Sequence, residues 1–153
     1  MYQELFKKAA RWLKAHDRYL PPPASEADLV RLAERAQAEL GAPIPPEYEA
    51  FLRLADGFDG NGCHIYASHQ RPHPRYPDRS YEGFVEANET WRDDDANRDY
   101  LYFADGDMSR YRYHIPSRQY QVADLQSDTV IKVVPSFDAL IAEALEEHAF
   151  PEE

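Results

Sequence analysis

Between Tyr100 and Val134 four β-prone segments follow one another with very little chain between them, and that spacing settles the fold class. Tyr100-Leu101-Tyr102-Phe103-Ala104 comes first, and Asp105-Gly106-Asp107 turns the chain after it. Arg110–Ile115 and Gln119–Ala123 alternate polar and apolar side chains with a period of two, as half-buried strands do, with Pro116-Ser117-Arg118 between them. Thr129–Val134 is the last and is rich in β-branched residues. Parallel neighbours need a crossover of roughly a dozen residues or more, so connections this short imply antiparallel pairing. One face of such a meander has to be buried, and helices elsewhere in the chain can cover it.

Those helices flank the strands. In residues 2–16, Leu5, Ala9, Trp12, Leu13 and His16 form an apolar stripe, and Lys7, Lys8, Arg11 and Lys14 lie largely off it. Pro21-Pro22-Pro23 ends this helix. Ser25 is a good cap for a second helix, in which Leu29, Leu32, Ala33, Ala36 and Leu40 repeat at helical spacing before Gly41. A third, short helix starts at Pro45-Pro46, buries Tyr48, Phe51, Leu52 and Ala55, and is closed by Gly57. Asp59-Gly60-Asn61-Gly62 reads as a turn, Cys63–Ala67 as a strand and Ser68–Tyr81 as a loop. A fourth helix lies within Tyr81–Trp91, with Phe84, Ala87, Asn88 and Trp91 inward, and Arg92–Asp99 is a polar loop. Pro135-Ser136 starts a closing helix that buries Phe137, Leu140, Ile141, Ala144, Leu145 and His148.

The expectation is an α+β fold. It has a mainly antiparallel sheet of about four to six strands with helices packed on one side. Helices precede the sheet and one helix closes the chain. The 153 residues suit one domain, 1–153, with an N-terminal helix extension over 1–20 and a core over 25–148.

Charge narrows the function. There are 28 Asp and Glu against 17 Lys and Arg, a formal net charge of −11, so nucleic acid is not an expected partner. A basic protein surface is, through steering and a complementary potential. Nine carboxylates against Arg92 and Arg98 fall between Glu82 and Asp107, and six against no Lys or Arg between Asp138 and Glu153. No apolar run is long enough to cross a membrane, and no secretory signal is expected. The single Cys63 excludes an internal disulfide and fits a cytoplasmic protein.

Three passages carry a resemblance: the helix–Gly41–Pro45-Pro46–Tyr48–Phe51–Gly57 stretch, the Tyr100–Asp107 strand with its acidic glycine turn, and the Ser136-Phe137-Asp138-Ala139-Leu140-Ile141 helix start. Together, over roughly Ser25 to Leu145, they resemble the SUKH superfamily, which includes the fungal cell-wall assembly regulators. The resemblance implies an α+β fold. It also implies an immunity protein that neutralises a polymorphic or contact-delivered toxin, such as one acting on nucleic acid. The superfamily has no catalytic motif to carry over to these residues, and its partner-facing surfaces vary between members.

The catalytic inventory is poor. His64, His69 and His73 are close in sequence, but Pro72 breaks the helix that would align two of them, and no paired cysteines accompany them. Asp56, Asp59 and Asn61 lack the ligand spacing of a calcium loop. Cys63 and His64 are strand neighbours and point to opposite faces. The expectation is therefore no enzyme, no metal and no cofactor. Partner contacts fall instead in the acidic segment, on Glu86, Glu89, Trp91, Asp93, Asp94, Asp95, Asp105 and Asp107, where carboxylates lie beside aromatics. A regulatory interaction module without a toxin partner is the alternative. The sequence leaves open whether the chain is a monomer or a weak dimer.

Overall fold

Ser25 caps its helix as expected. Its hydroxyl accepts from Asp28 N at 3.0 Å while Asp28 Oδ2 accepts from Ser25 N at 3.2 Å, a reciprocal capping box. The computed structural model describes residues 2–147. Their helices are α1 (Gln3–Ala15), α2 (Glu26–Arg35), α3 (Pro46–Leu52), α4 (Phe84–Trp91) and α5 (Phe137–Glu147). Their strands are β1 (Phe58–Gly60), β2 (Cys63–Ile65), β3 (Arg71–Pro72), β4 (Ser80–Tyr81), β5 (Tyr100–Asp105), β6 (Ser109–His114), β7 (Gln119–Asp124) and β8 (Val130–Val134). A π-helical turn, Ala36–Leu40, extends α2 to Gly41, whose φ of 69° ends it.

The expected meander is present. Six strands run β1-β2-β5-β6-β7-β8, and β2 through β8 pair antiparallel. The fold is α+β with an additional two-stranded ladder, β3–β4. Two stretches depart from the sequence reading. The stretch read as a turn over residues 59–62 is a hairpin, because Asn61 and Gly62 at φ 50° and 81° form the tight connection and free Phe58–Gly60 to be a strand. The proline-rich stretch read as a loop pairs Arg71 with Tyr81 and Pro72 with Ser80.

By its contacts the chain divides into two compact units that it visits alternately. Among the described residues, the first takes those up to Leu20, Asp59–Ile65 and those from Asp99 onward, and the second takes Pro21–Phe58 and Tyr66–Arg98. In the first unit, α5 packs on β6, β7 and β8, and α1 packs on α5. Phe137 meets Phe103 edge-on, their ring centres 5.2 Å apart. The buried stripe of α1 is Phe6, Ala9 and Leu13, with Leu5, Trp12 and His16 half-buried beside it, so the inward face is turned slightly from the one expected. In the second unit, Leu29, Leu32, Leu40, Tyr48, Phe51, Leu52, Phe84 and Val85 make the core. Gly57 at φ 95° bends the chain toward β1 rather than capping α3, which already ends at Arg53. His148 lies outside the described residues. Among the described residues no helix is long and apolar enough to cross a membrane.

Candidate partner-binding surface

The helix that leads to the acidic loop, α4, starts from a glycine that the packing requires. A Cβ on Gly83 would lie 2.5 Å from Gln70 N, and its own N–H donates to Gln70 Oε1 at 2.7 Å. From there α4 runs to Trp91, whose indole N–H donates to the Tyr66 hydroxyl at 3.0 Å. The Tyr48 hydroxyl donates to the Tyr66 carbonyl at 2.7 Å, so α3 and α4 are fixed through one residue. Burial first, then the charges of Asp56 and Glu86, push the Tyr48 phenol well up and keep it a donor.

Beyond α4 the chain is held by neutral backbone acceptors. Arg92 Nη1 donates to the Leu40 carbonyl at 2.9 Å, and Asn97 Nδ2 donates to the Trp91 carbonyl at 2.9 Å. Asp93, Asp94 and Asp95 are exposed between these two anchors. Asp94 Oδ1 accepts from Ala96 N at 3.0 Å, capping a 3-10 turn over Asp95–Asn97, and Asp95 pairs with Arg98 at 2.8 Å. The carboxylate of Asp93 has no bond among the described residues. The loop is thus fixed in shape while much of its charge is left to solvent.

Glu86 and Glu89 sit one step back on α4. Arg35 donates to Glu86 at 3.1 Å and to Glu39 at 2.8 Å, so one guanidinium serves an acidic group that also includes Glu89. Desolvation, followed by Glu39 beside it, raises the Glu89 carboxyl, while the Arg35 bond holds Glu39 low. The other two expected contacts belong to the first unit. Asp105 pairs in register with His64 and Arg110, and the Asp107 carboxylate lies over Gly62, where a Cβ would stand 2.4 Å from it. The expected acidic surface is therefore divided: Glu86, Glu89, Trp91 and Asp93–Asp95 belong to the second unit, Asp105 and Asp107 to the first.

Two side-chain groups went unread in the sequence. On β6, Arg112 is 1% exposed, and its guanidinium lies 3.9 Å from the centre of the Tyr100 ring. It donates to Gln121 at 3.1 Å and pairs with Asp128, which also takes Arg110 at 3.2 Å. The alternation of Arg110–Ile115 puts Arg110 and Arg112 on its polar side, and the structure buries that side at Arg112. The other group gathers Asp28, Asp56 and His69, whose ligand atoms lie within 4.8 Å of one another. These side chains could hold a cation by distance, but Asp56 is already satisfied. It accepts from Ser68 N at 2.7 Å and Ser68 Oγ at 2.9 Å, and Arg71 Nη1 stands 3.4 Å away. Arg71 thus supplies positive charge beside the Asp56 carboxylate from within the chain. Ser68 is also 3.0 Å from His69 Nδ1, but at 3% exposure its hydroxyl is committed to this network rather than open to a substrate. His73, read as part of a polar loop, is buried and stacks on Tyr81 at 5.1 Å.

Burial also removes Cys63 from chemistry, since desolvation first and Asp105 second push its thiol far up. No curated protein sequence matches the chain. A family model does, over residues 23–143, a span that takes in both groups, the acidic loop and the whole of β5–β8 while leaving α1 outside. The chain belongs to the SMI1 / KNR4 family (SUKH-1).

Proposed function

We propose that this protein is an immunity protein: it binds one cognate bacterial toxin in the cytoplasm and blocks it stoichiometrically, without catalysis of its own. Membership of the SMI1 / KNR4 (SUKH-1) family supports the reading, and that family is not known as enzymatic. The observation that carries it furthest is the Asp93–Asp95 loop. Its backbone is tied down by Arg92 and Asn97 while its carboxylates face solvent. A preformed acidic loop loses little entropy on docking and steers a basic partner toward it. A toxin acting on nucleic acid has to carry such a basic surface.

The test is co-expression with the adjacent gene, with a tag on this chain alone. A toxic neighbour recovered as a 1:1 complex is the expected result. A harmless neighbour, or none recovered, would replace this reading with that of a regulatory interaction module.

A further inference from the structure

The sheet ends in a strand that is unusually apolar for an edge. β8 is last in the order, and its outer side meets no strand among the described residues. Val130, Ile131 and Val133 are 42%, 60% and 51% exposed, three of the five residues of the strand. Single exposed apolar residues mean little, but three on one short edge strand are an unusual concentration. Register places Val133 opposite Gln121 and Val130 opposite Ala123, with Ile131 the extra residue of a bulge. Val130 and Val133 therefore share the face that carries Arg110 and Arg112.

The helix beside this edge is acidic: α5 packs along β6–β8 and carries Asp138, Glu143 and Glu146, with no Lys or Arg, while its Glu147 is taken up by Ser109 and Tyr111 of β6. The one base on β8, Lys132, is bonded by Glu143, and Glu146 acts on it as well. A second copy of this chain fits poorly, since each copy carries a net charge of −11 and the bulge spoils a flat, self-complementary edge. We infer that β8 is a docking edge for an extended segment of a protein partner that carries Lys or Arg between apolar residues. Its apolar side chains meet Val130, Ile131 and Val133, and its cations meet the α5 carboxylates. This edge belongs to the first unit and the Asp93–Asp95 loop to the second, and the inference holds whether or not the partner is a toxin.

The probe is a synthetic peptide of alternating valine and lysine, titrated into the isotope-labelled full chain at low salt. A peptide of alternating valine and glutamate is the control. Saturable shifts of the Lys132–Val134 amides with the lysine peptide alone are expected. Ile131→Asp should weaken binding by about tenfold or more, since it removes an apolar anchor and adds repulsion. Val133→Thr, which keeps β propensity, should weaken it less. Three results would overturn the inference. They are shifts centred on Asp93–Asp95 with β8 silent, equal binding of the glutamate peptide, and self-association of the chain that Ile131→Asp abolishes.

Discussion

Arg112 and Asp93 show two treatments of charge in one chain. Arg112 is enclosed, with an aromatic face, an amide oxygen and a carboxylate taking up its guanidinium. Asp93 lies on a loop anchored by Arg92 and Asn97, yet its carboxylate is exposed and bonds nothing among the described residues. In the first region the fold consumes the charge, and in the second it leaves the charge at the surface. Under the proposed function, the difference separates residues whose loss should be read in stability from residues whose loss should be read in association.

The largest expected effect belongs to the enclosed charge. Asp128 sits at φ 60°, which asparagine also tolerates, so Asp128→Asn removes charge without straining the backbone. It leaves the buried Arg112 with a neutral amide in place of the carboxylate it pairs with. The cost should be about 3 kcal/mol, the low end for a broken buried pair because Asp128 is itself 42% exposed. Arg112→Met, which removes the buried charge altogether, should cost less. Urea unfolding of both variants checks the order. A smaller loss for Asp128→Asn than for Arg112→Met would mean that packing, not charge, is what Arg112 supplies.

Next comes Asn97→Ala. Asn97 is 8% exposed, and its amide holds the Trp91 carbonyl. Losing that bond should cost about 1–2 kcal/mol. It changes no charge, so any slowing of partner association reports the loss of loop order. Association unchanged beside a measurable loss of stability would show that the loop need not be preformed.

These contrasts were only partly readable from the sequence, for a physical reason. The meander, the Ser25 cap and α5 were legible because each is written locally, in a period of two, a capping box or a period of 3.6. β1, β3 and β4 are two or three residues long, too short to show a period, and the Gly, Asn and Pro within and around them signalled turns instead. The exposure of Asp93–Asp95 follows from three consecutive acids, which no core admits without partners. The burial of Arg112 does not, because its partners come from β5, β7 and the turn after β7. Asp28, Asp56 and His69 meet for the same kind of reason, coming from three separated stretches.

Acid should act on the two regions in opposite directions. Bonds from Ser127 N and then Ser127 Oγ hold the Asp124 carboxyl below its ordinary range. Its folded value is depressed, so its contribution is complete above the ordinary aspartate range and is lost as pH falls through the lower folded value. The Glu89 carboxyl is raised, first by desolvation and then by Glu39. Taking up a proton there relieves repulsion, so its unfavourable contribution is present above the raised value and fades as pH falls toward the ordinary glutamate range. Amide exchange followed down a pH series should show α4 gaining protection before the turn after β7 loses it. Simultaneous loss in both would remove the contrast.

The smallest effect on stability, and the sharpest division, lies within the acidic triplet itself. Asp94 caps the 3-10 turn through Ala96 N, so Asp94→Lys removes a cap as well as a charge and should cost about 0.5 kcal/mol or more. Asp93→Lys removes a carboxylate that bonds nothing among the described residues and should stay within about 0.5 kcal/mol of the parent. Both variants change the net charge equally, so both should slow capture of a basic partner at low salt and flatten its salt dependence. If charge alone governs encounter, the two association rates fall together while the stabilities differ. If Asp93→Lys slows association and Asp94→Lys slows it much further, the shape of the capped turn is part of the recognition surface. Association rates at several salt concentrations, set beside the two unfolding midpoints, separate these outcomes, and unchanged rates for both variants would take the triplet out of the interface.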